Sequence, residues 1–128
     1  MYKAAEIMKR SIELFRAGSA AEAIRLIESA FTDSALATDP SALAVLARHA
    51  GVLCMQQGNP ERALSFYQKA LEFTPDNPVS LYRLADVYIA LGKTEEARPY
   101  FRKCYEICLA RNDQGYLELL ELRRELWA

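Results

Sequence analysis

The sequence predicts an all-α chain built from stacked helix pairs. Three observations carry this: a spacing of 34 residues that recurs through the middle of the chain, Asx-Pro pairs where helices should start, and glycines where they should stop. Gly58 and Gly92, Ala63 and Ala97, Tyr67 and Phe101, Gly51 and Ala85, Ala50 and Leu84, and Ala70 and Cys104 all lie 34 residues apart. That period is the length of one helix-turn-helix unit in a solenoid. No stretch alternates apolar and polar residues with the period of two that a strand needs.

Seven helices are expected, at about 3–17, 20–36, 41–57, 60–73, 79–91, 95–110 and 114–127. The first ends at Gly18, where a left-handed residue closes an apolar-periodic run. Ser19-Ala20-Ala21-Glu22 reads as a capping box for the second. Asp39-Pro40, Asn59-Pro60 and Asn77-Pro78 open the third, fourth and fifth: the Asx oxygen takes an orphan N–H, and proline suits the first helical position. Gly58 and Gly92 repeat the stop signal. In the sixth helix Glu95 and Glu96 sit near the positive end of the dipole, and Pro99 forfeits one backbone bond close to the start. The seventh carries Tyr116, Leu117, Leu119, Leu120, Leu122, Leu126 and Trp127 on more than one stripe, which is more apolar surface than a simple lid requires.

Composition limits the function. At 128 residues there is room for one ordinary domain. Sixteen Lys and Arg against 17 Asp and Glu leave a formal charge of −1, so nucleic-acid binding through bulk charge is not expected. Charges interrupt every apolar run from Met1 to Arg10, so no leader peptide is expected, and no stretch of about 18 uncharged apolar residues exists, so no membrane span is expected. The initial methionine and terminal helix favour a complete protein. Cys54, Cys104 and Cys108 are odd in number and lack CxxC spacing, which points to reduced thiols and a cytoplasmic setting.

Residues 44–77 (Ala47, Ala50-Gly51, Cys54, Gly58, Ala63, Tyr67, Ala70, Pro75) and 78–111 (Leu81, Leu84-Ala85, Tyr88, Gly92, Ala97, Phe101, Cys104) carry a pattern that resembles the tetratricopeptide repeat. The phrase Ser65-Phe66-Tyr67-Gln68-Lys69-Ala70-Leu71-Glu72 is typical of that family. Residues 4–43 look like a degenerate first unit, with Ile7, Leu14, Gly18, Ala23, Ile27 and Ala30 in matching places. Arg10 and Ser11 replace its leucine-glycine pair, and six extra residues lengthen the second helix or its loop around Phe31 to Pro40. The resemblance implies a right-handed α-solenoid of about three units, a single domain over 1–128, with residues 114–127 as a capping helix.

By the same resemblance, the first helix of each unit lines a concave groove. The transferred positions are Met8, Lys9, Ile12, Phe15 and Arg16; Val45, Arg48, His49, Val52, Met55 and Gln56; and Val79, Tyr82, Arg83, Asp86 and Ile89. Lys9, Arg16, Arg48 and Arg83 face one acid, Asp86, so an acidic peptide is the partner the charges suit. Arg48, His49 and Arg83 are the expected polar contacts, and Met55, Tyr82 and Ile89 the anchors. Some relatives clamp a terminal carboxylate with lysine and asparagine. Here Met8, Ile12, His49 and Val79 stand in those places and only Arg83 matches, so that clamp is not expected.

Catalysis is not expected either. His49 is the single histidine and has no nucleophile beside it in sequence. Cys104 and Cys108 have metal-ligand spacing on one helix, yet Cys104 falls on a buried small-residue position, and no metal or other cofactor is expected. The function implied is a noncatalytic adaptor or scaffold binding a protein or peptide, with no nucleic acid and no membrane. Its rivals are a small export or assembly chaperone for one client and a regulatory domain associated with an enzyme. The apolar last helix points to a homodimer.

Overall fold

The computed structural model describes residues 3–128; Met1 and Tyr2, the start of the segment examined for a leader, lie outside them. Seven α-helices follow in order: α1 Ala4–Arg16, α2 Ala20–Phe31, α3 Pro40–Gln56, α4 Pro60–Phe73, α5 Pro78–Ala90, α6 Thr94–Arg111 and α7 Gln114–Leu122. A short 3₁₀ turn, Arg124–Leu126, closes the chain. There is no strand among the described residues. Consecutive helices pack as pairs, α1 on α2, α3 on α4 and α5 on α6. The chain forms two compact units, Met1–Thr74 and Pro75–Ala128.

The start signals act as read. Asp39 Oδ1 accepts the Ala42 N–H at 3.1 Å and Asn59 Oδ1 that of Arg62 at 3.3 Å. Asn77 Oδ1 accepts two, from Val79 at 3.0 Å and Ser80 at 3.3 Å. Asn77→Ala strands both donors, so it is expected to cost about 1 kcal/mol of unfolding free energy by urea titration. The stops hold as well: Gly18, Gly58 and Gly92 have φ of 85°, 72° and 75°, the left-handed region where a side chain is strained.

Three local expectations need correction. Ser19 caps α2 by position but its side chain accepts no capping hydrogen bond, so the capping box is not made. The second helix stops at Phe31 instead of 36. Asp33 Oδ1 takes the Ala35 N–H at 2.9 Å, a local turn that competes with the helix, and Leu36 then turns inward, 8% exposed. The last helix stops at Leu122 instead of 127. There the Trp127 indole N–H donates to the Leu120 carbonyl at 2.8 Å, Arg102 Nε donates to the Trp127 carbonyl at 2.8 Å, and the backbone tightens to bring the ring in.

In the first unit the core runs through Ile7, Ile24, Ile27, Leu46 and Tyr67. α3 touches α1 and α2 as well as its own partner α4, so α1 and α3 lie side by side. In the second, Leu81, Leu84, Phe101, Cys104, Cys108 and Leu120 are fully enclosed. Burial pushes the Cys104 thiol up to about 12, and its S–H donates to the Pro78 carbonyl at 3.4 Å, so it is a packing residue and not a nucleophile.

Candidate peptide-binding surface

In the first unit, the seam between α1 and α3 holds two open clefts. The apolar one, about 250 Å³, is lined by Ala4, Ala5 and Met8 from α1 and Ala42, Val45 and Leu46 from α3. Val45 is 44% exposed, a large hydrophobic side chain left facing water. The second, about 380 Å³, is lined by Ile12, Phe15 and Arg16 from α1 and His49, Leu53 and Gln56 from α3. Helical spacing explains both sets: positions three or four apart on each helix share the face turned to its neighbour.

The second cleft is electrostatically one-sided. Its lining includes the exposed cation Arg16 and no carboxylate. His49 is half-buried, and its Nε2 is shielded from solvent without a hydrogen-bond partner. Burial lowers the imidazole pKa below its ordinary value, which favours the neutral ring near pH 7. An unsatisfied buried nitrogen costs on the order of 1–3 kcal/mol, and a ligand group bonding to it recovers part of that.

Seven of the residues transferred by resemblance thus come together, Ile12, Phe15, Arg16, His49 and Gln56 in one cleft and Met8 with Val45 in the other. Lys9, Arg48, Val52 and Met55 line neither cleft. Leu53, Leu46 and Ala42 were not among the transferred positions. Leu53 is four residues after His49, and that spacing alone could have flagged it.

The second unit treats its transferred residues differently. Arg123, just past α7, places its guanidinium 2.8 Å from Asp86 Oδ1 and donates to the Tyr82 hydroxyl at 3.1 Å. It also lies over the Tyr82 and Phe101 rings, 5.7 and 5.3 Å from their centroids. Tyr82 further meets Tyr116 edge-on at 5.5 Å. Tyr82 and Asp86 are therefore engaged by the chain's own C-terminal segment. Arg83 is exposed, and Val79 and Ile89 are half-buried. Nothing in the repeat pattern pointed to Arg123, because it lies beyond the last unit.

A family model for the tetratricopeptide repeat matches residues 42–110, α3 to α6. The chain belongs to the tetratricopeptide repeat family. DnaJ homolog subfamily C member 3 of Bos taurus is 34% identical over 73 residues, 54% of this tetratricopeptide repeat chain and 14% of that protein. The chain therefore spans a small part of the curated relative it matches. PilF of Pseudomonas aeruginosa superposes with a TM-score of 0.66 at 16% identity, over 94% of this chain and 59% of that one. A MamA RS-1 ArsTM double mutant gives 0.67 at 22% identity, over 96% and 65%. At such identities the likeness is one of fold, that of tetratricopeptide solenoids. Tetratricopeptide repeats serve in general as protein-interaction modules, which gives this chain's class of function in outline.

Among the described residues no group of three or more His, Cys, Asp or Glu is placed to hold a metal ion, and no helix is long and apolar enough to cross a membrane.

Proposed function

We propose that this chain is a noncatalytic adaptor or scaffold module that holds a peptide or protein segment along the α1–α3 seam of its first unit. The observation that carries the reading is the pair of clefts on that seam, with Arg16 and the unsatisfied His49 in one and exposed Val45 in the other. Both walls are helices with buried inner faces, so little of the protein needs ordering on binding. The three buried free thiols suit a reducing, cytoplasmic setting.

The test is selection of peptides from a random displayed library, followed by affinity measurement on the wild type and an Arg16→Glu, Gln56→Glu double variant. Both positions are exposed, so folding should be kept. Selected peptides are expected to lose at least about tenfold in affinity, about 1.4 kcal/mol. Unchanged affinity for every selected peptide would remove the seam as the binding surface.

A second reading, self-association, is favoured by the other end of the chain. Leu109, Leu119 and Leu122 are 53%, 44% and 78% exposed, and Tyr105, Leu117 and Leu122 share an open cleft between α6 and α7. Such a patch suits a second copy or, in a chaperone, a client. A Leu122→Glu variant compared with wild type by light scattering distinguishes a dimer from a monomer.

A further inference from the structure

Resting on that reading of the seam, we infer that its two clefts together select an extended segment bearing an apolar side chain and a carboxylate four positions apart. The apolar side chain enters the Met8–Val45 cleft, and the carboxylate meets Arg16 and His49.

The spacing follows from helix geometry. Met8 to Arg16 on α1 and Val45 to Leu53 on α3 are each eight residues. At 1.5 Å of rise per residue the two clefts sit roughly 12 Å apart along the seam. An extended chain covers about 3.3 Å per residue, so roughly four residues bridge that distance. Four is an even number, so both side chains leave the same face of the segment and both can enter the seam. A spacing of three turns one of them away.

The chemistry follows from the linings. The first cleft is walled by alanine, methionine, valine and leucine side chains, with nothing to pair a charge. The second combines apolar Ile12, Phe15 and Leu53 with Arg16, Gln56 and His49, the last three of which can donate a hydrogen bond to a carboxylate. The helices packed on α3 are α1, α2 and α4. Of their charged side chains Arg16 alone lines this cleft, and α2 and α4 contribute nothing to it. Glu13 of α1 lies 3.6 Å from Arg10 and is not part of the lining. On α3 itself the neighbouring charge is Arg48. No carboxylate of the protein competes for the cleft. A ligand reaches His49 by displacing lining side chains, of which Arg16 and Gln56 are exposed and rotatable.

Binding a carboxylate here is linked to proton uptake. Free His49 is held toward its neutral form by burial. A carboxylate against the ring favours the imidazolium, so the complex holds more protons than its parts between the free and bound pKa values. Affinity therefore rises as pH falls through that window, and declines only when the ligand's own carboxyl protonates near pH 4.3.

His49 is the only histidine, so its imidazole resonances report on this cleft without ambiguity. The experiment titrates the full chain with acetyl-SLSSSES-amide and with the reversed order acetyl-SESSSLS-amide, following His49 by NMR from pH 5 to 8. Controls carry Gln for Glu, or shorten the spacing to three. At least one order is expected to raise the His49 pKa and to bind several-fold more tightly at pH 6 than at pH 7.5, with both effects lost in the controls. His49→Gln is expected to keep binding and lose the pH dependence. If the Gln peptide binds as well as the Glu peptide with no change in the titration, the carboxylate is overturned while the seam remains a peptide site. If the shortened peptide binds as well, the spacing is overturned. If no peptide moves the His49 signals, the whole specification falls, and the library selection above decides separately whether the seam binds peptides.

Discussion

Replacing Phe101 by alanine is expected to lower the unfolding free energy by about 3–5 kcal/mol. The ring is fully enclosed, meets Tyr82 edge-on at 5.6 Å between centroids, and carries the Arg123 guanidinium on its other contacts at 5.3 Å. Its loss opens a cavity and also removes the surface against which Tyr82 and Arg123 are held. Small domains have about 5–15 kcal/mol in all, so the variant should be close to unfolding at 37 °C. Tyr82→Phe is the control. It deletes one hydrogen bond from a charged donor and should cost about 1.5–3 kcal/mol at most. Urea titration of both variants checks the ranking, and equal losses would mean that the ring is not the centre of this packing.

Gly51→Ala is the second large effect, and its sign runs against helix propensity. Alanine in a helix interior is worth about 1 kcal/mol more than glycine. At this position, however, an added Cβ would lie 2.7 Å from Tyr67 Cζ and under 3.0 Å from two further ring carbons. The ring is 2% exposed and has nowhere to go. Overpacking of this kind costs about 1–3 kcal/mol or more, so a net loss of about 1–2 kcal/mol is expected. In a Tyr67→Leu background the same glycine substitution should be neutral or stabilising. A double-mutant cycle by thermal unfolding reads the change of sign. Equal costs in both backgrounds would remove close packing as the reason for glycine here.

Much of this fold was legible in the sequence because the repeat encodes it locally. The Asx-Pro pairs are self-contained caps, and Gly18, Gly58 and Gly92 are self-contained stops. Where reading failed, the deciding contact was tertiary. The early stop of α2 depends on Asp33 bonding to Ala35 instead of letting the helix run on, and the early stop of α7 depends on Trp127 reaching back to Leu120. The candidate surface divides the same way. Ile12, Arg16 and His49 follow from the family resemblance, and their convergence needs only that α1 and α3 lie side by side. The engagement of Tyr82 and Asp86 by Arg123 could not be read, because it joins residues 41 and 37 positions apart through a segment with no repeat pattern.

The seam itself is tested most directly by mapping a library-selected peptide onto the isotopically labelled chain. The largest shift changes are expected on Met8, Ile12, Arg16, Val45, His49 and Leu53, in two groups along α1 and α3. Changes confined to Leu109, Leu117 and Leu122 on α6 and α7, with His49 unmoved, would contradict it.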